Sequence, residues 1–411
     1  MAKFSNASMP LQGSEVAPAV RPWLTPTFAA HAAFVPTGVV TVLLGPVLPA
    51  LSARWSLNDA QAGQLFTAQF LASTVGVGVS GFLVPRFGYR LIIVLGLLFM
   101  AAGVGSLPLG SRFVGMASVA CFGIGLGFAI PTCNLLVAEV NRTGRAAALS
   151  WLNFSWTLGA VACPFLLKPF QRAGRISAFF YVIACCVLLV SMLLAWVSTP
   201  NPHETKDRPS TRSLAALLRT TAAIALGILF FVYVGTENAV GGWLASYAKR
   251  VMEHSGTMWV TTPSFFYGGL LAGRALAPIV LRKVAELRLA RVSVVLVLLA
   301  LIGLLLSRSM GAVFFSASLI GLGCAPIYPI IISLLSNLFG SDATRLGSAM
   351  FMLAGFGASC MPWLVGYVST KMSSLAFGIG VPIAASVLML ALFLGNWECR
   401  DTTMPSREPA I

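Results

Sequence analysis

Charge is what this sequence has least of. Only 9% of its 411 residues are Asp, Glu, Lys or Arg, and just 12 are acidic, while 57% are hydrophobic. Soluble domains carry about 25% charge, so a water-facing globular surface is excluded. Histidine is scarce as well: His31, His203 and His254 are the only three, far apart in the chain. None of the eight cysteines forms a C-x-x-C pair, and seven lie in apolar runs, where a thiol behaves as a small hydrophobe. Neither a metal centre, nor a disulfide framework, nor a cofactor is expected. H-E-x-x-H and G-x-S-x-G are both missing, so nothing points to an enzyme. The opening segment, MAKFSNASMPLQGSEVAPAVRP, lacks the continuous apolar core of a signal peptide and reads as a cytoplasmic tail.

The residues present describe an integral membrane protein. Mean hydropathy is +0.87, and a spanning helix needs about 20 apolar residues. Twelve apolar runs are centred near Val40, Leu71, Leu98, Gly125, Leu158, Leu188, Phe231, Leu271, Leu298, Leu322, Gly357 and Val387. The sixth and seventh are separated by STPNPHETKDRPSTRS, too polar to bury. The expected organisation is a tail over 1–22, a six-helix bundle over 23–198, a linker over 199–219, a second bundle over 220–397 and a tail over 398–411. The net charge of +15 is spread in ones to fours between apolar runs. That pattern signals topology and lipid headgroups, not nucleic acid. With both termini inside, 17 Lys and Arg fall on the inner side and 9 on the outer, and Arg274 alone lies inside a span. The expected location is the cytoplasmic membrane.

The halves repeat. GLGFAIPTCNLL, from Gly125, resembles GCAPIYPIIISLL, from Gly323, with Pro131 and Pro329 offset by 198. LGAVACPFLL and FGASCMPWLV place Gly159 on Gly357 and Pro164 on Pro362, again at 198. GVGVSGFLVPR, from Gly76, aligns with GRALAPIVLRK, from Gly273, at 197. A duplicated six-helix unit predicts a transporter with its site between the halves near the midplane. A channel would more often be a symmetric oligomer with a filter or charged rings. One chain that contains both halves of a site is expected to work as a monomer.

The motifs resemble those of the major facilitator superfamily along the whole chain. GFLVPRFGYR, Gly81 to Arg90, is similar to that superfamily's loop between helices two and three, with Pro85 where an acid is usual. Within it, GLGFAIPTCNLLVAE and YVGTENAVGGW (Tyr233 to Trp243) resemble the fucose–galactose–glucose:proton symporter group. The resemblance implies an all-α fold of twelve transmembrane helices in two pseudo-symmetric six-helix bundles. It also implies a monosaccharide substrate, a hexose such as glucose, moved with protons by alternating access. Export of drugs or other amphiphiles, and sodium-coupled sugar carriage, are the competing functions. The first helix carries no acid, and Ile130 stands where the fucose branch has one in helix four. Only Asn134 carries over from that pattern.

Glu237 is the candidate for proton coupling. A charge at the bilayer midplane is costly, and burial favours the neutral carboxyl. Such a group can take a proton from one side and release it on the other. Alternatively it accepts sugar hydroxyls, or merely ties helix seven to a neighbour. Asn134, Asn153, Asn238 and Gln69 both donate and accept, which suits sugar hydroxyls, although amides also glue helices together. Trp156, Trp243 and Tyr328 offer faces on which a pyranose ring stacks. Arg86, Arg90, Glu139, Arg142 and Arg145 lie at the inner loops and are the expected gating residues. Arg274 either pairs with Glu237 or snorkels to the inner surface.

Overall fold

The computed structural model describes residues 25–141, 144–200, 213–251 and 256–395, and these are almost wholly helical, with no strand among them. Both predicted tails and most of the linker lie outside the described residues. The first spanning helix, α1, is a bent pair, Pro26–Val42 and Leu44–Trp55, turned by 42°. Thr25 caps its start by accepting from the Phe28 amide, and Pro26 occupies the first turn, where no amide donor is needed. Pro46, just past the bend, has no N–H to continue the ladder.

One helical tract, Asp59–Ser106, contains two spans. Gly88 divides it with φ 79° and ψ 166°, a conformation that a side chain resists, and the chain reverses there. We therefore count α2 over 59–87 and α3 over 89–106. Asn58 and Gln61 form a capping box at the start of α2. The remaining helices are α4 (Arg112–Val140), α5 (Arg145–Arg172), α6 (Ile176–Ala195), α7 (Thr221–Val251), α8 (Thr262–Leu281) and α9 (Glu286–Leu306). After them come α10, broken into Met310–Cys324 and Ile327–Phe339, then α11 (Ala343–Lys371) and α12 (Leu375–Leu394). By length and apolarity alone, 9 helices among the described residues qualify as spans, and 10 with the bent pair. Dividing the tract at Gly88 and admitting the more polar α5 gives the twelve that the sequence predicts.

The duplication is legible in the packing. A side chain at Gly38 would strike the Trp156 carbonyl, and one at Gly159 the Val35 carbonyl, so α1 and α5 touch backbone to backbone. The second half repeats the device between α7 and α11, where Gly357 abuts the Phe231 carbonyl and Gly235 abuts that of Gly357. Gly235 lies 197 positions after Gly38, and Gly357 lies 198 after Gly159. Gly125 against Gly96 and Met100 recurs as Gly323 against Ser293 and Val297. Without water to drive association, close approach of small residues holds membrane helices together.

The two halves meet along two equivalent seams. The Thr67 hydroxyl of α2 donates to the Ser359 carbonyl of α11 at 2.9 Å, and that of Ser264 on α8 donates to the Val161 carbonyl of α5 at 2.8 Å. These two bonds are images of one another under the same offset.

Candidate functional site

Most of α7 is buried, but Glu237 and Asn238 are only half-buried. Glu237 lies within electrostatic reach of Tyr233 on α7, Tyr267 on α8 and Tyr328 on α10. One turn before Glu237, Tyr233 points its hydroxyl at two acceptors at once. The Glu237 Oε2 lies at 2.5 Å and the carbonyl of Cys324 at 3.0 Å. Cys324 is the last residue of the first piece of α10, and the end of a helix leaves such carbonyls without an intrahelical donor. A phenol carries one proton. With Glu237 ionised, Tyr233 donates to the carboxylate. With Glu237 protonated, the carboxyl donates to Tyr233, which donates onward to Cys324. Both protonation states of Glu237 thus have a bonded arrangement with the same heavy atoms.

Tyr328, just past the break in α10, stacks on Tyr233 with centroids 6.0 Å apart and meets Phe230 edge-on. Opposite, the Trp156 ring of α5 meets Tyr267 of α8 edge-on at 6.3 Å and donates through Nε1 to Thr41 Oγ1 at 3.3 Å. Arg274 reaches from α8 to Thr157 Oγ1 at 3.3 Å, its guanidinium carbon 6.0 Å from the centre of the Trp156 ring. Arg274 and Glu237 both lie within electrostatic reach of Tyr233, Cys324 and Tyr328. They are not an ion pair, since no N–O separation of 4.0 Å or less joins them.

The three predicted asparagines share one posture. Asn134, Asn153 and Asn238 each donate at 2.8 Å to the carbonyl four residues earlier, of Ile130, Leu149 and Val234. Each keeps a carbonyl oxygen and a second N–H unspent. Asn153 is exposed, one turn from Trp156 on the same face of α5. Two further predicted ligand contacts are buried and bonded between helices. Gln69 is wholly buried and gives its amide N–H to the Thr41 carbonyl at 2.8 Å. Trp243 is also wholly buried, with Nε1 bonded to the Pro362 carbonyl at 2.8 Å and its ring against Phe66. Trp243 borders the cavity of about 440 Å³ near Arg250, and the Gln69 Oε1 has no hydrogen-bond partner among the described residues. Both join helices.

The halves are tied together at the end opposite to the inner loops, where the gating residues are expected. Asp59, at the start of α2, makes a two-pronged pair with Arg250 at the end of α7, at 2.7 and 2.5 Å, and accepts from the Ser369 hydroxyl of α11. The Ala60 amide donates to Thr370 Oγ1 at 2.8 Å. Beneath these bonds, Gly45 meets Gly241, Gly63 meets Trp363, and Gly366 meets the Asp59 carbonyl. On α2 the contacting stripe runs 59, 63, 66 and 74, where Thr74 touches Gly355. Its continuation, Gly78 and Gly81, has nothing within 4 Å of where a Cβ would stand. The halves are therefore closed at the Asp59 end and part toward the Gly88 end. Arg86, Arg90 and Arg145 are exposed at the Gly88 end, and no ion pair joins them to a described residue. Glu139 lies within electrostatic reach of Tyr89, and Arg142 is outside the described residues. Sequence reasoning missed Tyr233, Thr157 and the Asp59–Arg250 pair. A signal for the last was present: an acid at the head of the stripe that carries Gly63.

Comparison with known proteins agrees with this architecture. The family model for the Major Facilitator Superfamily matches residues 30–353. The chain is 22% identical to a putative glucose/galactose transporter of Helicobacter pylori, over 89% of this chain and 95% of that one. It is 23% identical to the sodium-dependent glucose transporter 1 of Xenopus laevis, over 85% and 77%. Among solved structures it resembles the fucose:proton symporter of E. coli, with a TM-score of 0.60, 17% identity and coverage of 91% and 99%.

Proposed function

The chain belongs to the Major Facilitator Superfamily, and from that premise we propose that it is a secondary active transporter of a monosaccharide, a hexose such as glucose, taken up with protons by alternating access. The observation that carries the reading is the Glu237–Tyr233–Cys324 relay, which joins α7 to α10 within the second bundle and leaves Glu237 half-buried. A carboxyl whose protonated and ionised forms are both hydrogen-bonded can change state without leaving a buried polar group orphaned. The free amide groups of Asn134, Asn153 and Asn238 and the rings of Trp156 and Tyr328 suit the hydroxyl rim and apolar face of a pyranose. The names of the relatives, glucose and galactose carriers among them, support the substrate class.

The excess of Lys and Arg in the loops at the Gly88 end supports placing that end in the cytoplasm. The structure is then inward-facing, with Asp59 and Arg250 as the outer latch. The expected domain organisation, two bundles joined by a cytoplasmic linker, and a working monomer form part of the same proposal.

The test is labelled glucose uptake into vesicles containing the purified protein, with an inward proton gradient, an inward sodium gradient, or neither. Accumulation under the proton gradient alone is expected. Accumulation under sodium alone would replace proton by sodium coupling. Absence of uptake under every gradient would remove glucose as the substrate and return export to consideration.

A second expectation concerns the latch. Asp59→Asn removes the charge-assisted pair, and such bonds contribute about 1.5–3 kcal/mol, less where exposed. Ser246 lines a cavity of about 440 Å³ behind the latch, together with Pro49, Ser52 and Trp259. A reporter cysteine at Ser246 is expected to react roughly three- to tenfold faster with an impermeant maleimide in the Asp59→Asn background. Unchanged labelling would mean that the glycine packing alone holds the outer end shut.

A further inference from the structure

Among the described residues, no carboxylate forms an ion pair with Arg274. Glu237 is more than 4.0 Å away, and its Oε2 is occupied by Tyr233. The protein offers the guanidinium one long hydrogen bond, from Nη1 to Thr157, and the face of Trp156. A guanidinium has five N–H donors, so most of its bonding capacity is unspent. Thr157 is itself wholly buried and donates to the Asn153 carbonyl at 2.8 Å, which orients its oxygen to accept from Arg274.

Nor does the side chain snorkel. Arg274 lies in the second half of α8, yet it reaches Thr157, which sits mid-way along α5, Arg145–Arg172. The charge is held at mid-depth, where an uncompensated cation is costly. It also bridges the seam: its stem belongs to the second bundle and both of its contacts to the first. A ligand bound there touches both moving bodies.

We infer that Arg274, Thr157 and Trp156 form an anion subsite, and that the monosaccharide carried is a sugar acid, a hexuronate or aldonate, whose carboxylate docks on Arg274. The geometry suits the chemistry. Guanidinium and carboxylate match as a two-pronged pair, which a lysine would not reproduce. The hydroxyl-bearing remainder of the sugar acid is assigned to Tyr233 and Asn238 of α7 and Tyr328 of α10. A neutral hexose fills the same space but leaves the cation without a counter-charge. The inference rests on the monosaccharide reading of the site and narrows it.

The experiment uses the full-length protein reconstituted in liposomes. Counterflow of labelled D-glucuronate and labelled D-glucose is measured for the unmodified protein, Arg274→Gln and Arg274→Lys, each first checked for monodispersity. Glucuronate is expected to half-saturate at a concentration roughly tenfold or more below glucose, the ratio a charge-assisted pair supplies. Arg274→Gln is expected to erase that ratio by weakening glucuronate alone, and Arg274→Lys to recover part of it. Glucose handled as well as glucuronate overturns the subsite and leaves the sugar reading intact. Succinate taken up in an Arg274-dependent way, with neither sugar transported, overturns the sugar reading and the sugar-acid substrate together but keeps the anion subsite. An Arg274→Gln protein that retains the glucuronate preference and loses only proton coupling assigns the cation to Glu237, and overturns the inference.

Discussion

Glu237→Gln is expected to abolish accumulation of substrate against its gradient while leaving exchange of substrate across the membrane largely intact. Glutamine has the same shape and still accepts from Tyr233, whose hydroxyl lies 2.5 Å from Oε2 and 3.0 Å from the Cys324 carbonyl. Binding geometry is therefore preserved. What is lost is the ability to alternate between donor and acceptor with a proton gained or released. With one proton per substrate and a pH difference of two, coupled uptake is bounded at about 100-fold, since each pH unit is worth about 1.36 kcal/mol. The variant is expected to stop at equal concentrations on both sides. Parallel measurements of gradient-driven uptake and of counterflow in vesicles decide it. If Glu237→Gln accumulates substrate as the unmodified protein does, the carboxyl is a structural tie between α7 and α10, and coupling resides elsewhere.

Gly357→Val is the substitution expected to damage the protein most. Its Cβ would collide with the Phe231 carbonyl, a backbone atom that moves only if α7 moves. Overpacking costs about 1–3 kcal/mol where side chains give way, and more where backbone must shift. In detergent, melting is expected to fall by roughly 5–10 °C. Gly159→Val, its image in the first half against Val35, is expected to act alike, whereas Gly78→Ala, with open space around it, is expected to be neutral or slightly stabilising. Equal melting temperatures for Gly357→Val and Gly78→Ala would show that the α7–α11 contact yields without strain. The comparison also tests the repeat as a physical statement, because only a genuine duplication makes residues 198 apart equally intolerant.

Several features were legible in the amino-acid sequence, and for definable reasons. Hydrophobic run length set the spans, because a bilayer requires about 20 apolar residues whatever the neighbours. The offsets of 197 and 198 set the two-bundle plan, and the glycines that carried them are those that mediate contact: Gly159, Gly357, Gly76 and Gly273. Glu237 stood out because a carboxylate is so rare in such a run. What a residue type can do and how deep it lies follow from local composition, and sequence reports both.

Direction and partnership were decided only by the tertiary structure. Trp243 and Gln69 have the chemistry of ligand contacts, but the first is packed on Phe66 and bonded to Pro362 and the second gives an N–H to Thr41. A helix turns about 100° per residue, so a six-residue separation such as Glu237 to Trp243 sends two side chains of one motif into different environments. The latch was hidden for another reason. Asp59 and Arg250 are 191 residues apart and belong to different copies of the repeat, so no local pattern pairs them. The folded molecule is closed at the Asp59 end because there the glycine seam lets backbones touch, while beyond Thr74 nothing lies within 4 Å of a Cβ at Gly78 or Gly81.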